Sequence, residues 1–144
     1  MGFFDAIDIA ASGLTAQRLR MDVTAENLAN ASTTRGANGQ PYQRQQVILQ
    51  QGGGFSATLA GAMGSGPAPG GVQVAGIVGD PTPNKLVYNP GSPDANAQGY
   101  VRMPNVNSVT EMTDLIDESR SYQANVTAMQ TAKSMYSKTL DLLR

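Results

Sequence analysis

A mainly helical chain with a small β part is what this sequence predicts. Two long terminal helices pair as a coiled-coil-like hairpin, and an irregular, Gly/Pro-rich, partly antiparallel β segment lies between them. Two observations carry this. All eight prolines and 14 of the 16 glycines fall between Gly36 and Pro104, while the flanks contain no proline and only Gly2 and Gly13; proline and glycine break helices. Each flank also repeats apolar residues every seven positions, the mark of a narrow helical stripe. The expected division is 1–35, an N-terminal helix; 36–104, a β-containing, loop-rich middle; and 105–144, a C-terminal helix packing on the first.

In the N-terminal flank the stripe is Ile7, Leu14, Met21 and Leu28, with Phe4, Ala11, Arg18 and Ala25 three residues earlier in each heptad. Gly13 costs about 1 kcal/mol of helix propensity relative to alanine and marks a close approach or a flexible point. The run Asn30-Ala31-Ser32-Thr33-Thr34 competes with the helix for its backbone groups and ends it. In the C-terminal flank the stripe is Leu115, Tyr122, Met129, Tyr136 and Leu143, with Met112, Ser119, Val126, Lys133 and Leu140 in the companion register. Ser108 and Glu111 fit a capping box at its start. From Val109 to Leu143 such a helix is about 50 Å long.

The middle offers three strands: Tyr42 to Leu49, Val72 to Val78 and Lys85 to Tyr88, the last reached through a turn at Asp80-Pro81-Thr82-Pro83-Asn84. The stretch 51–71 reads as a flexible glycine-rich connector. Asn89 to Asp94 reads as a loop.

Composition excludes much chemistry. The chain has no His and no Cys, so it offers no imidazole base, no thiolate nucleophile and no His/Cys zinc site. Its net charge is −1, with 10 basic and 11 acidic residues, so no basic field holds nucleic acid or an anionic membrane. The glycine runs lack a GxxxxGK[ST] pattern. Asp80 and Asp94 both adjoin prolines, where aspartate serves turns, and Asp94-Ala95-Asn96-Ala97-Gln98 lacks the closing glutamate of a calcium loop. No enzyme, cofactor or metal is expected. The opening residues, with Asp5 and Asp8 before any basic residue, also do not read as a cleaved secretory signal or a membrane span.

Helices striped this narrowly bury too little apolar surface to stand firmly alone. The expectation is packing partly between chains, through Phe4, Ile7, Leu14, Met21, Leu28, Met112, Leu115, Tyr122, Val126, Met129, Tyr136, Leu140 and Leu143. Asn27 and Asn30 are either polar register contacts between subunits or an ordinary helix end. The free chain is expected to have frayed termini that order on assembly.

These residues also carry a resemblance. Ser12-Gly13-Leu14-Thr15-Ala16-Gln17 followed by Glu26-Asn27-Leu28-Ala29-Asn30-Ala31 resembles the N-terminal signature of flagellar rod and hook axial proteins. Met103-Pro104-Asn105-Val106-Asn107, Glu111-Met112 and Ser119-Arg120-Ser121-Tyr122-Gln123-Ala124-Asn125 resemble their C-terminal signature. Thr33-Thr34-Arg35 with Pro41-Tyr42, and Gly76-Ile77-Val78 through Asp80-Pro81-Thr82-Pro83 to Val87-Tyr88-Asn89-Pro90, are similar to the C-type proximal-rod branch of the flagellar basal-body rod family. Many axial proteins follow Asn-Leu-Ala-Asn closely with Thr-Pro-Gly-Tyr; here Arg35 to Gln40 intervene, which fits the C type. The stretch 61–71 matches no family motif.

The resemblance implies a structural subunit of the proximal rod, assembling helically through its terminal helices into a torque-transmitting shaft that spans the periplasm. It implies synthesis in the cytoplasm and export without a cleaved signal through the flagellar type III apparatus. Its partners would be other copies of itself, other rod proteins, the rod-base adaptor and the export gate. Phe3 to Ile7 matches a Phe-x-x-x-apolar export element, although these residues also suit a helix partner. A soluble export chaperone and a wall-remodelling enzyme are the alternatives; the first gives no reason for an outward β unit, and the second lacks a convincing carboxylate pair.

Overall fold

The computed structural model describes residues 3–36, 38–52 and 70–142. The chain runs as helix α1 (Phe3–Ala29), strands β1 (Gln45–Gln51), β2 (Val72–Gly79), β3 (Lys85–Tyr88) and β4 (Tyr100–Met103), and helix α2 (Ser108–Leu142). The architecture is mainly helical with two small antiparallel sheets, β1–β2 and β3–β4. Most of the glycine-rich connector, at 53–69, lies outside the described residues, as does Leu143.

Two compact units share both helices. One comprises Met1–Leu19, Ile48–Gly76 and Glu118–Arg144; the other comprises Arg20–Val47 and Ile77–Asp117.

Helix α1 ends where the sequence turns polar. The amide of Asn30 still reaches Glu26 O, but those of Ala31 and Thr33 fall back three residues, to Leu28 O and Asn30 O. The Thr33 hydroxyl meets Asn30 Oδ1 at 3.2 Å, and Asn30 Nδ2 donates to Glu26 O. Asn30 thus closes a helix C-terminus.

Strand β1 starts three residues later than the sequence suggests, because the Arg44 amide bonds to the Asn105 side chain at 2.7 Å. Its pairing with β2 is bracketed by Asp80 N to Arg44 O and Gly52 N to Gly71 O. The second sheet pairs Lys85 with Met103, Leu86 with Arg102, Val87 with Val101 and Tyr88 with Tyr100. Strand β4 was not expected: Tyr-Val-Arg-Met is short, and it follows a loop that hides its pairing with β3. That loop closes at Gly99, whose φ of 81° suits glycine and whose Cα lies so near Tyr88 that an added Cβ would sit 2.9 Å from its ring.

Helix α2 corrects the expected capping box. Asn107, one residue before the helix, is the cap: its Oδ1 accepts from Val109 N at 3.1 Å. Glu111 does not turn back to cap; its carboxylate serves Arg44 and Asn27.

The apolar core is small. Among the described residues, Ala16, Val23, Val101 and Val106 are the buried apolar ones, beside the fully buried Pro104. Four polar side chains, Thr24, Asn27, Glu111 and Glu118, are as deeply buried.

Candidate functional site

The most deeply buried positions of the helices are not the seven-spaced apolar residues. In α1 they are Ala16, Val23, Thr24 and Asn27; in α2 they are Glu111 and Glu118. Ile7, Leu14, Met21 and Leu28 are half-buried, as are Leu115, Tyr122, Val126 and Met129. Met112, Tyr136 and Leu140 are exposed. Small and polar residues thus occupy the buried centre of each helix, and the seven-spaced apolar residues lie half-buried or exposed beside it. The side chains of Phe3 and Phe4 lie outside the described residues.

Within the unit formed by Arg20–Val47 and Ile77–Asp117, the buried polar residues make one network. Asn27, 1% exposed, donates from Nδ2 to Gln45 O at 2.8 Å and to Glu111 Oε2 at 3.1 Å. Its Oδ1 accepts from Gln45 N at 2.9 Å and from the Tyr42 hydroxyl at 3.0 Å. Both donors and both acceptor positions of the amide are used. Asn27 therefore fixes register inside the chain, between α1, β1 and α2, and its amide has no further position for a neighbouring subunit.

Glu111 is also 1% exposed. Its Oε1 lies 2.5 Å from Arg44 Nε, and the same guanidinium reaches Asp114 at 3.4 Å and Asp80 at 3.6 Å. Burial works against the Arg44 charge, but the hydrogen bond to Glu111 and the fields of Glu111, Asp114 and Asp80 outweigh it, so its pKa is raised. Asp80 is held below the usual carboxylate range, first by hydrogen bonds from the Thr82 hydroxyl and amide and then by Arg44. Burial, with Glu26 and Glu111 nearby, pushes the Tyr42 phenol up.

Two further side-chain amides tie the turn before β3 to the end of β4 and the loop that follows it. Asn105 Nδ2 reaches Thr82 O at 3.0 Å, and Asn84 Nδ2 reaches Met103 O at 3.1 Å. Asp94 accepts from the Thr34 hydroxyl at 2.8 Å. Asp80 and Asp94 thus both serve turns and cross-links. Among the described residues no group of three or more potential ligands could hold a metal ion, and no helix is long and apolar enough to cross a membrane.

In the other unit, Ser12 and Gly13 occupy a tight contact. The Ser12 hydroxyl donates to Ile9 O at 2.8 Å and accepts from Val72 N at 3.0 Å. A Cβ at Gly13 would lie 3.1 Å from Asn125 Nδ2. The sequence marks Gly13 as a close approach or a flexible point, and its contact with Asn125 is such an approach; Ser12 and Asn125 stand there only as motif letters, Tyr42 as a motif letter and strand start, and Arg44 as the cation facing Glu111 is missed. Nothing in the spacing of residues 67 apart announces an ion pair; an Arg just before a strand, facing the buried Glu111 with Asp80 and Asp114 beside it, is visible only in the fold.

Comparison with known proteins follows this geometry. Residues 7–37 match the family model described as "Flagella basal body rod protein", and residues 97–142 match "Flagellar basal body rod FlgEFG protein C-terminal". The flagellar basal-body rod protein FlgC of Bacillus subtilis (strain 168) is 50% identical, covering 99% of both chains. FlgC of Salmonella typhimurium is 46% identical over 99% of this chain and 98% of its own. FlgC of Borreliella burgdorferi is 42% identical over 100% and 99%. Both model matches include the residues that build the contacts above: Ser12, Gly13 and Asn27 in the first, Asn105, Glu111 and Asn125 in the second. The agreement runs through the whole length of the relatives, and the chain is a member of the FlgC family of flagellar basal-body rod proteins.

Proposed function

We propose that this chain is a structural, non-catalytic subunit of the proximal rod of the bacterial flagellar basal body. It assembles helically through its terminal helices with copies of itself and with other rod proteins, and transmits torque along the periplasm-spanning shaft. Made in the cytoplasm, it passes uncleaved through the flagellar type III export gate, with Phe3 and Ile7 as export element, and seats near the rod-base adaptor.

The single observation that carries the reading is the end-to-end match to FlgC. The side chains agree with it. Within one unit Gly13 lies against Asn125, and within the other Asn27 lies against Glu111. Because each of these contacts is made by small and polar groups, apolar side chains are available to neighbours. Val109, Met112 and Ile116 are exposed by 73, 52 and 53%, and Met135, Tyr136 and Leu140 by 64, 40 and 50%. Burying one such side chain fully contributes about 1.5–3 kcal/mol. Spread over several neighbours, a dozen stripe residues hold a shaft without covalent links, and head-to-tail contacts that do not close give a helical polymer.

Mass spectrometry of detergent-purified hook–basal bodies tests this. Stoichiometric recovery of the chain with the basal bodies is expected. Recovery only in soluble complexes overturns the reading and favours an export chaperone.

A further inference from the structure

One face of the β3–β4 ribbon is unusual for a surface with nothing to bind. The register places Leu86 beside Arg102 and Tyr88 beside Tyr100 on the same side, while Val101, on the other side, is 3% exposed. On the outer side Leu86 is 63% exposed, Tyr88 65% and Tyr100 44%. The two tyrosine rings meet edge to face, with centroids 5.3 Å apart, so the aromatic surface is already ordered. Beside it lies a surface hollow of about 460 Å³ lined by Arg35, Pro41, Pro93, Asp94, Tyr100 and Arg102. Tyrosine and arginine in an ordered apolar setting are the residues that dominate protein contacts.

The electrostatics say what fits there. The Arg102 side chain is exposed and makes no hydrogen bond or ion pair among the described residues. Arg35, 74% exposed, only approaches Asp94, at 3.9 Å. The face is therefore apolar and cationic. The same chain carries its complement on the outer side of α1, where Asp22, Ala25, Glu26 and Ala29 share one exposed helical face. Asp22 makes no ion pair among the described residues, and the two alanines leave room for rings to approach.

We infer that the Leu86–Tyr88–Tyr100–Arg102 face docks on the Asp22–Glu26 face of α1 in a second copy of this chain. The contact joins two different surfaces, so it repeats from copy to copy and does not close into a pair. It rests on the rod-subunit reading and names one of the surfaces that reading requires.

A photo-crosslinking amino acid, p-benzoylphenylalanine, in place of the exposed Tyr88 tests it in cells of the source organism. After irradiation and isolation of hook–basal bodies, the expected product is a band at twice the 15.1 kDa chain mass, whose crosslinked peptide comes from residues 21–35 of a second copy. A crosslink to another protein, to a different segment, or within one chain overturns the inference, as does no crosslink from chain recovered in the basal bodies. As a second variant, Arg102→Glu is expected to lower basal-body yield about tenfold, and Arg102→Glu with Asp22→Arg to recover most of it; no recovery, with both proteins stably produced, counts against the contact. Failure of the rod-subunit reading looks different: the unmodified chain itself would be absent from the basal bodies.

Discussion

Arg44 and Glu111 stand 67 residues apart in sequence and 2.5 Å apart in the fold, the guanidinium Nε donating to a carboxylate that is 1% exposed. Among the described residues the Glu111 carboxylate has one other hydrogen-bond partner, the Asn27 amide at 3.1 Å. Breaking a buried pair by removing one member is far costlier than never having the pair, because the remaining charge stays in a poor solvent. Arg44→Met is therefore expected to destabilise the chain by about 3 kcal/mol. Arg44→Met with Glu111→Gln, which removes the stranded charge, is expected to regain a good part of that. Urea denaturation followed by circular dichroism reads both.

Asn27 gives a nearly isosteric test. Asn27→Asp turns the two donors toward Gln45 O and Glu111 Oε2 into acceptors and sets a second carboxylate against Glu111. The expected cost is about 2–3 kcal/mol at neutral pH, shrinking as the pH falls far enough to protonate the new carboxyl. A substitution without effect in the same denaturation assay would mean that the network is not formed in solution.

Stability should fall at both ends of the pH scale, for different reasons. The Tyr42 phenol is raised above its ordinary 10.0, so above about pH 10 the folded chain holds a proton that the unfolded chain has released, and stability drops as pH rises. Asp80 is lowered below its ordinary 3.8, so its contribution is present above about pH 4 and is lost on further acidification. Tyr42→Phe is expected to cost about 1 kcal/mol near neutral pH, through the lost hydrogen bond to Asn27, and to flatten the alkaline limb. Urea midpoints between pH 3 and 11, on the two proteins side by side, check the sign of each limb.

Gly71 packs against α1 so closely that a Cβ there would lie 2.2 Å from Ser12 Oγ and 3.0 Å from Ser12 Cβ. Ser12 cannot simply rotate away, since its hydroxyl bonds both Ile9 O and Val72 N. Gly71→Ala is expected to destabilise the chain by about 1–3 kcal/mol. Adding Ser12→Gly should relieve the clash but not restore the two hydrogen bonds. Thermal melting of the single and double variants distinguishes the two effects.

Much of the fold was legible because helix breakers are segregated. With no proline outside 36–104 and a cap signal near 107–111, both helices announce themselves, and Lys85–Tyr88 reads as a strand from β-branched and aromatic residues alone. What stayed hidden depends on distance along the chain. Strand β4 needs its pairing with β3 to be recognised. The buried centre of the helices is harder to read: Leu14 and Met21 stand out at heptad spacing, whereas the buried residues beside them, Ala16, Val23 and Asn27, differ in size and polarity. Glu111 read as a cap because its local context, Ser-Val-Thr-Glu, is sufficient for one; its true partner, Arg44, lies on another element.

The central claim is that the apolar stripes find their cover on neighbouring subunits. Amide hydrogen exchange, compared between the free chain and the chain in isolated hook–basal bodies, tests it most directly. Residues 4–11 and the distal part of α2, where Met135 and Leu140 stand exposed, are expected to exchange quickly in the free chain and to gain strong protection on assembly. Equal protection of these segments in both states would contradict the account.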